Sequence, residues 1–215
     1  MSNSTETSSK IKSAPPAKAL RVAETHRITK ETDIFIKVDL DKAGNVDVET
    51  SLPFFSHMLI ALATHGRFSL TIRATGDIEV DPHHLIEDTG IALGETIYKA
   101  LGSLAGIQRA GCFTYPMDGS LASVAIDLCG RRNLTWNVKF GNFTIGNLDP
   151  NLFREFFKGF VDSLKSTIHC NMLYSDNDHH AIEAVFKALA KSLRQAITPL
   201  ESGEYLSTKG MLDES

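Results

Sequence analysis

His-His-x-x-Glu occurs twice in this 215-residue chain, as His83-His84-Leu85-Ile86-Glu87 and as His179-His180-Ala181-Ile182-Glu183. The copies begin 96 positions apart, and each opens a long stretch with helical apolar spacing, 84–101 and 180–197. A shorter helical stretch stands ahead of each: 54–64, with apolar Phe54, Phe55, Met58, Leu59 and Leu62, and 152–167, with Phe153, Phe156, Phe157, Phe160, Val161 and Leu164. Strand-like runs fill the intervals at 34–40, 46–48, 68–74 and 78–80, then 121–128, 134–140 and 169–174. Gly66 sits where a helix C-terminus would place it. The same order therefore occurs twice, and the expected fold is α+β, a tandem duplication of one α/β unit. Each half-domain should be a β-sheet with two helices packed on one face, over 21–110 and 111–215. Residues 1–20, rich in Ser, Thr, Lys, Ala and Pro, read as a disordered tail.

Bulk composition narrows the function classes. The chain is 42% hydrophobic and 22% charged with a net charge of −4, ordinary for a globular protein. That balance argues against nucleic acid, whose phosphates require clustered Lys and Arg. No apolar run approaches the ~18 residues of a membrane span. The opening twenty residues have no apolar stretch of the signal-peptide kind. Cys112, Cys129 and Cys170 are odd in number and lack CxxC spacing, which fits free thiols in a reducing, cytoplasmic setting.

The doublets carry metal chemistry. On a helix, residues i and i+4 share a face, so His83 with Glu87, and His179 with Glu183, can each hold one ion. At 3.6 residues per turn the second histidine of each doublet is rotated ~100° away, so His84 and His180 must serve a different ion. Two metals follow, provided the two helix starts meet in the assembled protein. Imidazole and carboxylate ligands without thiolate suit manganese, iron, zinc or nickel, and the carboxylate in each set tilts the choice to Mn2+. The plainer explanation of the motifs is helix capping at Asp81 and Asp178.

Beyond the doublets, several segments resemble one family in unbroken order from about Arg21 to Leu212. These are Phe54-Phe55-Ser56-His57-Met58-Leu59, His65-Gly66-Arg67-Phe68, Asp81-Pro82-His83-His84-Leu85-Ile86-Glu87-Asp88, Gly106-Ile107-Gln108-Arg109, Pro116-Met117-Asp118, His179 through Ala188, and Ser207-Thr208-Lys209-Gly210. They are similar to the signatures of imidazoleglycerol-phosphate dehydratase. The resemblance implies dehydration of imidazole glycerol phosphate to imidazole acetol phosphate in histidine biosynthesis. It implies two manganese ions per active site, a small-molecule phosphate substrate, and trimers that assemble to a 24-mer with sites between subunits.

By the same resemblance, His57, His84, His179 and Glu183 form one ligand set, and His83, Glu87 and His180 the other. The family's fourth ligand of the second set, a histidine before a Phe-Phe pair, is replaced here by Glu155; His169, matched in the repeat with His65, is the fallback. Glu31, His57 and His65 reach the substrate, and Arg109, Arg131, Lys187, Ser207 and Lys209 hold it and its phosphate. Converging cations suit a phosphate dianion. Ser56 and Gly119 stand where the family has acids. The mechanism implied is binding of the substrate imidazole as imidazolate between two metals, with Glu31 or Glu183 moving the proton and His84 joining them in the catalytic group. A two-metal hydrolase, which usually has Asp-rich motifs, and a non-catalytic metal-binding homologue are the rival readings.

Overall fold

The computed structural model describes residues 20–142, 144–145 and 148–200. The proposed tail, apart from Leu20, and the phosphate-site residues Ser207 and Lys209 lie outside the described residues.

The first half runs β1 (Val22–Ile28), β2 (Thr32–Asp39), β3 (Val46–Thr50), α1 (Pro53–Gly66), β4 (Ser69–Gly76), α2 (Pro82–Leu101). The second repeats it: β5 (Ala110–Met117), β6 (Ser120–Asp127), β7 (Asn133–Asn137), α3 (Leu152–Leu164), β8 (Thr167–Tyr174), α4 (Asp178–Ala196). The sheets have matching orders, β1-β2-β4-β3 and β5-β6-β8-β7. In each, two antiparallel pairings are followed by one parallel pairing, β3 with β4 and β7 with β8. A helix bridges each parallel pair, as parallel strands require. The fold is thus the duplicated α/β unit expected from the repeated motif.

Helices α1 and α2 lie against the first sheet, and α3 and α4 against the second. They also pack across the duplication, α2 on α3 and α1 on α4, so the halves share one core. Phe55, Phe153, Phe156, Phe157, Phe160 and Phe186 are fully buried at its centre, each worth roughly 1.5–3 kcal/mol of apolar transfer. The α2–α3 crossing is unusually close at Gly90, where a Cβ would come within 2.2 Å of the Phe156 carbonyl oxygen. That approach sets the depth at which the α2 N-terminus, and so the first doublet, sits.

Several local expectations are corrected. Residues 78–80 form a turn, because the Asp77 carbonyl accepts from Val80 N and Asp81 N and folds the chain into α2. The left-handed residue that ends α1 is Arg67, with φ 56°, and its match at the end of α3 is Lys165, with φ 54°. Gly66 is still helical; its missing side chain makes room for the Phe68 ring, 2.6 Å from where a Cβ would stand. Edge strands β1 and β5 were not marked by apolar alternation. β1 reads Val-Ala-Glu-Thr-His-Arg-Ile, and β5 contains Gly111 and Pro116, the latter tolerated on an edge strand.

Candidate metal centre and active site

His57 from α1 and His179 and Glu183 from the start of α4 converge, with ligand atoms all within 4.8 Å of one another. His179 Nε2 is 3.4 Å and His57 Nε2 3.8 Å from Glu183 Oε2. The imidazoles are about half exposed, whereas Glu183 is nearly buried. Phe54 meets the His179 ring edge-on at 4.9 Å and the His57 ring at 6.4 Å, so an α1 aromatic props both. Ser56 ties the base of this helix to β3, its hydroxyl accepting from Thr50 N at 3.1 Å and lying 2.9 Å from the Thr50 hydroxyl. A serine thus performs a local anchoring role immediately before His57.

The opposite oxygen of Glu183 faces a cation. Lys187 Nζ donates to Oε1 at 2.8 Å from one turn further along α4. Burial would raise the Glu183 pKa, but the Lys187 hydrogen bond and the charges of Lys187, His57 and His179 outweigh it and hold the carboxyl below its usual range. Lys187 also lies 3.4 Å from Met117 Sδ and 5.5 Å from the Tyr115 ring centre. Tyr115 in turn meets His65, its hydroxyl 3.5 Å from Nδ1. Burial, with Lys187 and Lys191 nearby and only partly offset by Glu183, pushes the His65 pKa below the ordinary histidine value.

The first motif is arranged similarly. His83 Nε2 is 3.5 Å from Glu87 Oε2, i to i+4 on α2. The ring planes within the doublets are inclined by 75° for His83–His84 and 77° for His179–His180. His84 Nδ1 meets Asp77 at 3.1 Å and Glu31 at 3.9 Å. The Asp77 hydrogen bond and the charge of Glu31 raise the His84 pKa. His180 faces Asp118 at 3.6 Å. Each second histidine therefore points at an acid on its own half's hairpin or loop, away from its neighbour's set.

Capping coexists with this chemistry. Asp81 caps α2 by accepting from His83 N at 2.8 Å, and Asn177, not Asp178, caps α4 by accepting from His180 N at 3.1 Å. Asp176-Asn177-Asp178 does form an Asp-x-Asp triplet ahead of the second doublet. Burial would raise the Asp178 pKa, but hydrogen bonds from Gly141 N, Asn142 N and Asn142 Nδ2 together outweigh it and hold the carboxyl below its usual range. The Asp176 carboxylate fills the space beside Gly119, 2.1 Å from where a Cβ would stand. A side chain at position 119 would require the Asp176 carboxylate to swing aside.

Glu155 precedes Lys165 by ten residues on α3, as His57 precedes Arg67 on α1, so the two occupy equivalent places in the repeat. Its carboxylate is 3.0 Å from Arg154 Nη1. His169 is exposed on β8, where its match in β4 is Thr71; the expected pairing of His169 with His65 is not the structural one. Arg109 pairs with Asp127, and the Arg131 carbonyl accepts from Thr167. Both stand at the Asp127 end of β6, whereas Met117 and Lys187 stand at the Ser120 end. At ~3.3 Å per strand residue that separates them by roughly 20 Å. One chain does not gather these arginines at its own histidine cluster. Asp77, Phe54 and Tyr115 were missed from the sequence, having no spacing that links them to the doublets.

A duplicated α/β protein with paired His/Glu clusters at matching helix starts is, as a class, a metal-dependent enzyme scaffold. The family model described as "Imidazoleglycerol-phosphate dehydratase" matches residues 50–193. A protein of that name from Syntrophus aciditrophicus is 46% identical over 196 residues, covering 90% of this chain and 99% of the relative. One from Citrifermentans bemidjiense is 47% identical over 194 residues, covering 89% and 99%. Crystal structures of the enzymes from Staphylococcus aureus (31% identity, TM-score 0.75, 83% of this chain and 99% of that one) and Pyrococcus furiosus, in complex with (S)-C348 (34%, 0.77, 87% and 100%), share its fold. The chain belongs to the imidazoleglycerol-phosphate dehydratase family, and is a dehydratase, a hydro-lyase. Among the described residues no helix is long and apolar enough to cross a membrane.

Proposed function

We propose that this chain dehydrates imidazole glycerol phosphate to imidazole acetol phosphate in histidine biosynthesis, using two manganese ions per site. The observation that carries the reading is the convergence of His57, His179 and Glu183 from two halves of the duplication. Two imidazoles and a nearly buried carboxylate without thiolate fit a hard-to-borderline divalent ion. His57, His179 and Glu183, joined by His84, would hold one ion; His83, Glu87 and Glu155, joined by His180, the other. The second histidines diverge from their neighbours' clusters, so they would complete sets in adjoining copies of the chain. Arg109 and Arg131, roughly 20 Å from Lys187 along β6, would likewise grip phosphate across a subunit boundary. Ser207 and Lys209 would complete that grip. Trimers assembled to a 24-mer in the cytoplasm are the expected setting.

Bound manganese would supply Lewis-acid stabilisation of the substrate imidazole in its imidazolate form, a term of several kcal/mol. The residues do the rest. His65 and Lys187 line the approach to Glu183 and orient the substrate. Glu183 has one oxygen on Lys187 and the other toward the two imidazoles, which leaves it committed as a ligand. Glu31 is half exposed beside His84 and free to move a proton. It would take the proton from the second carbon from the ring; the hydroxyl on the carbon next to the ring departs and is protonated to water, and the resulting enol becomes the ketone at the second carbon.

The test is product analysis with manganese-loaded protein. Imidazole acetol phosphate should appear with wild-type chain and be lost in Glu183→Gln; no product from the wild-type chain would contradict the reading. Native mass spectrometry checks the assembly, with an isolated monomer the contrary result.

A further inference from the structure

Asp88 directly follows the Glu87 of the first motif, yet its side chain turns inward and is only 8% exposed. Its Oδ1 accepts from Arg27 Nε at 3.1 Å and Nη2 at 2.8 Å, and its Oδ2 accepts from the Thr32 hydroxyl at 2.6 Å. Arg27 lies at the end of β1 and Thr32 at the start of β2. Asp88 therefore fastens both sides of the turn that carries Glu31 to helix α2. Within the turn, the Thr29 hydroxyl accepts from Glu31 N at 3.1 Å and from Thr32 N at 3.0 Å. The Glu31 carbonyl accepts from Asp77 N at 3.1 Å, and the Asp77 carboxylate meets His84 Nδ1 at 3.1 Å. His84 and Asp88 are i and i+4 on α2, so this chain of bonds leaves and rejoins one helix face.

The duplication provides a control within the molecule. The position that follows Glu183 as Asp88 follows Glu87 is Ala184, which is fully buried, and α4 packs on its sheet without any carboxylate there. The unit's fold does not require an acid at this place. A buried carboxylate is costly unless each oxygen is bonded, and at this position only the first half carries one. The second-half hairpin between β5 and β6 is shorter, Asp118-Gly119, and bears no glutamate. What distinguishes the first half is a turn that holds a glutamate beside a doublet histidine.

We propose that Asp88 is a positioning residue: through Thr32 and Arg27 it fixes the β1–β2 turn so that the Glu31 carboxylate stays beside His84, in reach of the reacting carbon. The proposal rests on the reading of Glu31 as the proton carrier. Misplacement of a reacting group by about 1 Å costs ~100-fold in rate, and a released turn shifts Glu31 on that scale without replacing a metal ligand.

The experiment compares manganese-loaded wild type with Asp88→Asn, Thr32→Val, Thr32→Ser, Glu31→Gln and the double variants carrying Glu31→Gln. Asp88→Asn and Thr32→Val should each lower kcat by roughly 10–100-fold, with KM within about threefold of wild type and unchanged manganese content. Thr32→Ser, which keeps the hydroxyl, should restore kcat. In the Glu31→Gln background neither change should slow the enzyme further, since both act through the same group. Slow Glu31→Gln with fast Asp88→Asn and Thr32→Val overturns the positioning role alone, as do losses that multiply in the double variants. Wild-type turnover in Glu31→Gln overturns the proton-carrier reading itself, whatever the other variants do. Should Asp88→Asn fail to fold, Thr32→Val and its serine rescue carry the same decision.

Discussion

Lys187 Nζ lies 2.8 Å from Glu183 Oε1, one turn on along α4, with the two side chains only 13% and 8% exposed. The pair divides the labour of one carboxylate: Oε1 is neutralised by the ammonium and Oε2 is left facing His57 and His179. Removing one partner of a buried pair strands the other's charge. In chelator-treated protein, Lys187→Met should therefore cost about 3 kcal/mol of unfolding free energy, the low end of the range for such pairs. Denaturant unfolding at fixed protein concentration measures this. A cost indistinguishable from zero would mean the pair contributes nothing in the metal-free chain.

His65 gives a pH dependence with a defined sign. Burial first, then the charges of Lys187 and Lys191, lower its pKa in the folded chain. The unfolded chain takes up that proton near pH 6.5, before the folded one does. Its stabilising contribution is complete above about 6.5 and is lost as pH falls through the folded value. An NMR titration of the His65 ring should show a midpoint below the ordinary value, moving upward in Lys187→Met. A midpoint at or above about 6.5 in the wild-type chain contradicts the assignment.

Glu155 occupies on α3 the place that His57 occupies on α1. Glu155→Ala should weaken manganese binding to the second set by at least the ~10–100-fold that loss of a merely supporting group costs, while Glu155→His preserves it. Equilibrium dialysis counts the bound ions. Equal affinity in wild type and Glu155→Ala would remove Glu155 from the ligand set.

At Gly90 helix α2 runs hard against the backbone of α3. A Cβ there would sit 2.2 Å from the Phe156 carbonyl oxygen, a backbone atom with no rotamer to yield. Gly90→Ala should destabilise the chain by about 3 kcal/mol or more, at or above the upper end for overpacked cores. Thermal unfolding in the two proteins checks it, and an unchanged midpoint would show that the helices separate freely.

The duplication was legible because His-His-x-x-Glu marks both long helices and the apolar spacing of α1 and α3 recurs ahead of them. The i, i+4 pairing of His83 with Glu87 and of His179 with Glu183 was legible for the same reason: helical geometry fixes it locally. What could not be read arises from contacts between distant segments. Asp77 meets His84 only because residues 77–81 turn instead of extending. Tyr115 reaches His65 only because β5 and α1 both pack against α4. The edge strands β1 and β5 escaped notice because half-solvated strands with Glu, Arg, Gly and Pro lack a clean apolar period. The match of His169 with His65 failed since motif resemblance does not supply the register that the left-handed residues Arg67 and Lys165 define.

The proposed dehydration depends on manganese held by the His57, His179 and Glu183 cluster. The most direct measurement is imidazole acetol phosphate formation by metal-stripped protein as manganese is titrated back, with bound metal followed in parallel. Stripped protein should show no turnover, and the rate should rise with occupancy toward two ions per chain. Full turnover without metal, or none once both sites are filled, would contradict it.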